Sequence, residues 1–203
     1  MNRNPLLTKI VNVLFHPLLS PLYVMAIFYF CVIIIRYLIP PDKMLLIASF
    51  VLITAVIIPL ICKLLFKKMK IYKQFIEQKI HIDSFLSIFM ATIYFAIYKS
   101  FTNIGVSEIL SKFFILNSLM LLCLSLASLF TKVDFHSIAI GEMLGLYIRL
   151  LHIGSTYNYW VFLILLLVAG IVGWARIKTN EDFAFKYHLG IIIGGLFFFF
   201  LYV

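Results

Sequence analysis

Long apolar stretches alternate with short polar stretches along this chain of 203 residues. Seven apolar stretches can be read, and each is close to the roughly 20 residues that a helix needs to cross a bilayer. They cover residues 17–39, 44–66, 84–101, 108–130, 135–153, 159–175 and 184–203. Because the apolar residues are continuous and do not alternate, helices are favoured over the strands of a β-barrel. The pattern predicts an all-α, polytopic transmembrane helix bundle that forms one domain over residues 1–203.

The fifth stretch is the weakest predicted span, because it contains Glu142, Arg149 and His152. A charged side chain that faces lipid is costly, so we expect these side chains to face protein or water. Two counts therefore stay open: seven spans, or six spans with a shallow or tilted fifth segment. Gly141 and Gly145 in the same stretch predict close approach to another helix.

The composition supports insertion into a membrane. Hydrophobic residues make up 64% of the chain and charged residues 12%, whereas about a quarter of the residues of a typical soluble domain are charged. Cys31, Cys62 and Cys123 are isolated within apolar stretches, so neither a disulfide nor a metal site is predicted. The first apolar stretch is too long for the apolar region of a signal peptide, and we expect it to remain as a span.

Lysine and arginine are distributed unevenly between the two sides of the predicted bundle. Twelve of the 17 lie on the side shared by the N-terminus and residues 67–83, 131–134 and 176–186. The positive-inside rule makes this side cytoplasmic, so we expect a cytoplasmic N-terminus. The basic residues around 63–73 favour a topology anchor that also attracts anionic lipids. Nucleic acid is not an expected partner, because no soluble surface carries the positive charge.

Three clusters of polar residues lie at the ends of predicted spans, at 76–84, 131–145 and 174–190. Two apolar stretches separate each cluster from the next, so all three emerge on the same side of the membrane. This placement predicts one composite site made from three loops at the cytoplasmic surface.

The residue types in two of these clusters suit an anion. Lys132 and His136 are four residues apart, on one face of a helical turn at a helix start. Arg176 adds a planar guanidinium whose donors match a phosphate. The alternative is that these residues are interfacial charges that cap helices and determine the topology.

Three segments resemble the phosphatidic acid phosphatase type 2 superfamily, specifically its small bacterial integral membrane proteins. They are FHPLLSPLYV at 15–24, KVDFHSIAIGEMLG at 132–145 and GIVGWARIKTNEDFAFKYHLGIIIGG at 170–195. The resemblance implies the helical fold of that superfamily, a location in the bacterial inner membrane, and hydrolysis of lipid phosphates or pyrophosphates. It also implies that no metal or other cofactor is needed, because a histidine attacks phosphorus directly.

Several positions match the motifs of this superfamily. Arg176 corresponds to the arginine that binds the phosphoryl oxygens, His136 corresponds to the acid that protonates the leaving group, and Lys132 fits its position in the segment 132–145. Gly141 also fits. The resemblance therefore implies a phosphate-binding or anion-binding set of Arg176, Lys132 and His136.

Other positions depart from the motifs. The nucleophile position, six residues after Arg176, holds Asp182, and the position that orients the nucleophile holds Lys186. Asp134 replaces a small hydroxyl residue that would touch the phosphate. Two carboxylates at these places would repel a phosphate dianion. The superfamily also has a motif with arginines before a proline, and the corresponding segment of this chain holds Gln78, His81 and Ser84 instead.

These departures predict a catalytically degenerate relative of the lipid phosphatases, with no catalytic residue and with His136, Asp182 and Lys186 as residual motif positions. Such a protein would be a structural or regulatory subunit whose partners are membrane lipids, one of which could bind by its headgroup, and other membrane proteins. The main alternative is an active lipid phosphatase with an altered site, in which His188 is a weak substitute for the nucleophile. Two further alternatives are a transporter and a haem-binding or quinone-linked anchor. The haem would take its axial ligands from the five histidines, His16, His81, His136, His152 and His188.

The last apolar stretch has a face of small residues formed by Gly190, Gly194 and Gly195. Such faces pack helices closely, and packing within the chain is favoured over packing against a partner helix.

Overall fold

The structure is a computed structural model that describes residues 5–32, 37, 39–68, 82–129, 134–153, 158–179 and 183–202. Within these ranges every regular element is a helix, which confirms the predicted all-α class. The α-helices are α1 (Pro5–Leu14), α2 (Ser20–Cys31), α3 (Pro41–Val51), α4 (Ile58–Lys68), α5 (Ile82–Ile104), α6 (Glu108–Ser128), α7 (Phe135–His152), α8 (Tyr159–Thr179) and α9 (Phe183–Leu201).

Within the described ranges, six helical segments are long and apolar enough to cross a membrane. They are Ile10–Cys31, Pro41–Cys62, Phe85–Ile104, Glu108–Ser128, Tyr159–Lys178 and Ala184–Leu201. They confirm the predicted polytopic bundle, and the protein is an integral membrane protein. The fifth predicted stretch forms the 18-residue helix α7, which is not among the six.

The chain divides into two compact units. The first comprises Met1–Tyr37 with Asp134–Val203, and the second comprises Leu38–Val133. In the first unit α7 packs along α9, and in the second α5 packs along α6. A single domain over residues 1–203 stays a prediction.

Glycines bring the backbones of α7 and α9 into direct contact in the first unit. A Cβ atom at Gly145 would collide with the carbonyl group of Gly195, and one at Gly194 would lie 2.5 Å from the carbonyl oxygen of Ile138. Gly141 is equally confined by α9. Both glycine sets that the sequence assigned to helix packing therefore meet at one intramolecular interface. This close approach holds the N-terminal end of α7 in place.

Two polar residues of α7, Glu142 and Arg149, follow the expectation from the sequence. Glu142 is buried at 5% exposure in the middle of the helix. Arg149, near the other end, donates a hydrogen bond from Nε to the carbonyl oxygen of Tyr202 at 2.8 Å. These side chains thus face protein.

Helices α1 and α2 are separated by a break that the sequence encodes. Pro17 begins a short 3₁₀ turn over Pro17–Leu19, and the residue before a proline is pushed out of the helical region. His16 accordingly has an extended backbone, and its Nδ1 accepts a hydrogen bond from the Leu18 N–H at 3.2 Å. The break turns the His16 side chain out of the regular helical path.

In the second unit, a π-helix over Leu52–Ile57 joins α3 to α4. Pro59 explains it, since proline has no N–H for the carbonyl of residue 55 and its ring would clash there. In the wider π-helical turn, the Ile58 N–H donates to the carbonyl oxygen of Ile53, five residues back, and not to that of Thr54 as in an α-helix. Helix α5 is terminated by Gly105, the residue after its last turn, whose φ of 74° is a conformation that favours glycine.

Candidate functional site

The N-terminal end of α7 begins with Asp134, whose side chain does not cap its own helix. The first turn is instead supported by Ser137, whose Oγ donates to the Asp134 carbonyl oxygen at 2.7 Å. An aspartate at this position commonly accepts from the free N–H groups of the helix. Here the carboxylate is available for another partner.

That partner is Arg176 in the last turn of α8. Its Nη2 donates to Asp134 Oδ1 at 2.7 Å. The Asp134 side chain is only 1% exposed and that of Arg176 is 21% exposed. Hydrogen bonds between charged groups are stronger than neutral ones, and screening by water is weak at this burial. The second and third polar clusters of the sequence therefore meet in one ion pair.

The last turn of α8 is positioned by a buried tyrosine from α9. The hydroxyl of Tyr187 donates to the carbonyl oxygen of Ala169 at 2.5 Å, and its ring lies against Gly173, where a Cβ would sit 2.7 Å from the ring. Since Gly173 is one turn before Arg176, this contact holds the arginine end of α8 against α9.

His136 lies beside the ion pair, in the first turn of α7. Its Nδ1 is 3.7 Å from Asp134 Oδ1, and its side chain is 15% exposed. The Asn12 backbone from α1 also lies beside this ring. On a further side, the His16 ring meets the His136 ring edge to face, with 5.5 Å between their centroids. The cluster thus consists of Asn12, His16, Asp134, His136 and Arg176, and all five belong to the first unit.

Sequence reasoning missed Asn12, and it considered His16 only as part of a motif and as a haem ligand. Thr8 and Asn12 are spaced four residues apart and form a polar stripe on one face of α1, and His16 follows at the same spacing in the break after this helix. In the structure Thr8 is buried and α1 packs on α8. The stripe was a readable signal that α1 faces a polar site.

Asn12, Asp134 and His136 each contribute a polar atom that is buried without a hydrogen-bond partner among the described residues. The atoms are Asn12 Oδ1, Asp134 Oδ2 and His136 Nε2. A buried polar atom without a partner costs about 1–3 kcal/mol. A hydrogen-bonding ligand would therefore gain most at these atoms.

The remaining predicted site residues are not part of this cluster as described. Lys132 and Asp182 lie outside the described residues, as does most of the first polar cluster, 76–84, including Gln78 and His81. Lys186 is half-buried on α9, and His188 is exposed there. A composite site that includes the first cluster stays a prediction.

The geometry limits what the histidines can bind. The described residues contain no group of three or more His, Cys, Asp or Glu that could hold a metal ion. The rings of His16 and His136 touch edge to face, so no porphyrin fits between them. His152 lies at the other end of α7, 16 residues from His136, which is about 24 Å along a helix. Paired haem ligands are therefore not present among these three histidines.

In the comparisons with known proteins, no family model, no curated protein and no solved structure matches the chain.

Proposed function

We propose that this protein is a catalytically inactive relative of the membrane lipid phosphatases whose anion site is filled by its own Asp134 carboxylate. The observation that supports this is the ion pair of Asp134 with Arg176 at 2.7 Å. Arg176 matches the arginine that binds the phosphoryl group in the family that the motifs resemble. An internal carboxylate competes with phosphate for the same donors, and its negative charge opposes a second anion.

Loss of hydrolysis is consistent with the residue types at the motif positions. The nucleophile position holds Asp182 rather than histidine, and the orienting position holds Lys186. His136 is still the residue type that protonates the leaving group in the family, but protonation does not lead to hydrolysis without a nucleophile that attacks phosphorus. The scaffold would then act as a structural or regulatory membrane subunit, in contact with bilayer lipids and with other membrane proteins.

The activity test uses the purified full-length chain in nanodiscs. Phosphate release is measured from phosphatidic acid and from an isoprenyl pyrophosphate, and we expect none above the empty nanodisc. The matched variants are His136→Ala and His16→Ala. Robust release by the unmodified chain that either variant abolishes would overturn the proposal and favour an active phosphatase with an altered site.

For the orientation, we propose a cytoplasmic N-terminus in a bacterial inner membrane. The support is the excess of lysine and arginine on the side of the N-terminus and of residues 176–186. A reporter enzyme that works only in the cytoplasm, fused to the N-terminus, should be active. If the cytoplasmic reporter is inactive and a periplasmic reporter at the same position is active, the N-terminus lies on the periplasmic side and the proposed orientation is wrong.

A further inference from the structure

A groove in the second unit has the dimensions and lining of a ligand site. It encloses about 610 Å³, within the range of about 300–1,000 Å³ typical of small-molecule sites. One wall is a face of α3, where Lys43, Leu46, Ile47 and Phe50 repeat at helical spacing. The other wall is the end of α5 and the turn that follows, and it comprises Ser100, Phe101, Ile104, Gly105, Val106 and Ser107.

The groove has a charged residue at one end and two phenylalanine rings at the other. Lys43 lies in the first turn of α3, and Phe50 lies seven residues later, about 10 Å along the helix. At the Phe50 end the rings of Phe50 and Phe101 line the groove and contact each other, with 6.1 Å between their centroids. Since α3 is the start of an apolar segment that can span a membrane, the groove runs from the membrane surface into the hydrocarbon region.

Charge identifies the kind of occupant. Lys43 is the one charged side chain among the described residues that line the groove. Lysine near the membrane surface keeps its ammonium group at the level of the lipid headgroups and attracts anionic ones. The rest of the lining is mostly apolar, which suits an alkyl chain, and its two serines, Ser100 and Ser107, carry no charge that would hold a soluble anion.

We propose that this groove binds an anionic phospholipid of the surrounding bilayer, with one acyl chain between α3 and α5 and the phosphate beside Lys43. The site lies wholly within the second unit and does not depend on the function proposed above. The lipid would cover apolar side chains of α3 that are otherwise exposed, among them Leu46 at 71%.

The experiment measures lipid adducts on the full-length protein by native mass spectrometry. Phosphatidylglycerol and phosphatidylcholine with identical acyl chains are compared, so only the headgroup charge differs. We expect about a fivefold preference for the anionic lipid, the effect of one lysine near a headgroup. Glycerol phosphate, which has the charge without the chains, should not compete.

Two substitutions test the two ends of the groove. Lys43→Gln should reduce binding of phosphatidylglycerol to the level of phosphatidylcholine. Ile47→Trp should fill the groove and reduce the adducts of both lipids. The matched controls are Lys99→Gln, at a lysine that lies over the Phe95 ring and not in the groove, and Leu45→Trp, at an exposed position beside it.

Three results would overturn the proposal. One is an unmodified chain with equal affinity for the two lipids. Another is a preference for the anionic lipid that survives Lys43→Gln or is lost equally in Lys99→Gln. The third is an Ile47→Trp variant that changes the ratio of monomer to dimer and leaves the lipid adducts unchanged, because the groove would then hold a second copy of the chain. Size-exclusion elution of each variant establishes that it is folded.

Discussion

Asp134 and Arg176 form an ion pair at 2.7 Å, although 42 residues separate them in the sequence. The pair joins the start of α7 to the end of α8 and brings together two of the three polar clusters of the sequence. Its geometry has two consequences. It links two helices of the first unit, and it occupies the Nη2 donor of Arg176, which is then not open to an external anion.

The first prediction concerns the stability that this ion pair contributes. Asp134→Ala should lower the free energy of unfolding by about 2–3 kcal/mol, because it removes the charged Asp134 acceptor from a largely buried guanidinium. Arg176→Ala should cost a similar amount, and the double variant should cost much less than the sum. Unfolding in mixed micelles measures all three in a double-mutant cycle.

The surface pair of Glu108 with Lys112, at 3.0 Å, is the matched control. Since the Glu108 side chain is 81% exposed, Glu108→Ala should change the stability by about 0.5 kcal/mol or less. Strictly additive effects of Asp134→Ala and Arg176→Ala would contradict an energetically coupled pair.

The second prediction concerns anion binding. Replacing Asp134 with serine, the small hydroxyl type expected from the phosphatase motif, should release the Arg176 donors. Inorganic phosphate should then stabilise the Asp134→Ser variant by about 1.4 kcal/mol at ten times its Kd, whereas the unmodified chain should show no shift. Thermal unfolding with and without phosphate measures the effect, with chloride at equal ionic strength as reference.

The control for the second prediction is the double variant Asp134→Ser with Arg176→Gln, which should not respond to phosphate. A phosphate-dependent shift in the unmodified chain would mean that Asp134 does not close the site.

The third prediction concerns the backbone contact between α7 and α9. Gly145→Ala places a Cβ against the carbonyl group of Gly195, a backbone position that cannot rotate away. The helices must separate, so we expect a loss of about 1–3 kcal/mol from overpacking. Gly170→Ala on α8 is the control, because a Cβ there meets nothing within 4 Å. This control should be neutral or slightly stabilising. Equal effects at both positions would argue against the close backbone contact between α7 and α9.

The fourth prediction concerns the hydrogen bond that positions the end of α8. Tyr187→Phe removes the donor to the Ala169 carbonyl and leaves the ring against Gly173, so it should cost about 1 kcal/mol. Tyr159→Phe, at a tyrosine that is 66% exposed, should change the stability little. If Arg176 depends on this contact, Tyr187→Phe should also reduce the coupling energy between Asp134 and Arg176. An unchanged coupling energy would show that α8 is held by other contacts.

The helical segments were predictable because hydropathy reflects the environment of a whole helix. A bilayer admits only segments that satisfy their own backbone hydrogen bonds and are apolar over about 20 residues. The close packing of α7 and α9 was predictable because glycines at helical spacing have no side chains and therefore allow two helix backbones to touch. Even the burial of Glu142 followed from the cost of exposing a carboxylate to lipid.

The site was predictable only in part. Sequence reasoning placed His136 and Arg176 in one site, and in the structure both lie beside Asp134, which the sequence analysis treated as a repulsive neighbour of a phosphate. The structure shows that this carboxylate is itself the partner of the arginine. It also adds Asn12 from α1 and His16 from the break after α1, which the sequence did not connect to the later clusters.

The sequence by itself determined which segments are helical and apolar, where their polar ends lie, and which helix faces permit close packing. Those properties follow from residue type and spacing along a single helix. Only the tertiary structure decided that Asp134 meets Arg176 and that His16 meets His136. A contact of this kind depends on the rotation and depth of helices relative to one another, and these are set jointly by all the packed side chains of the unit.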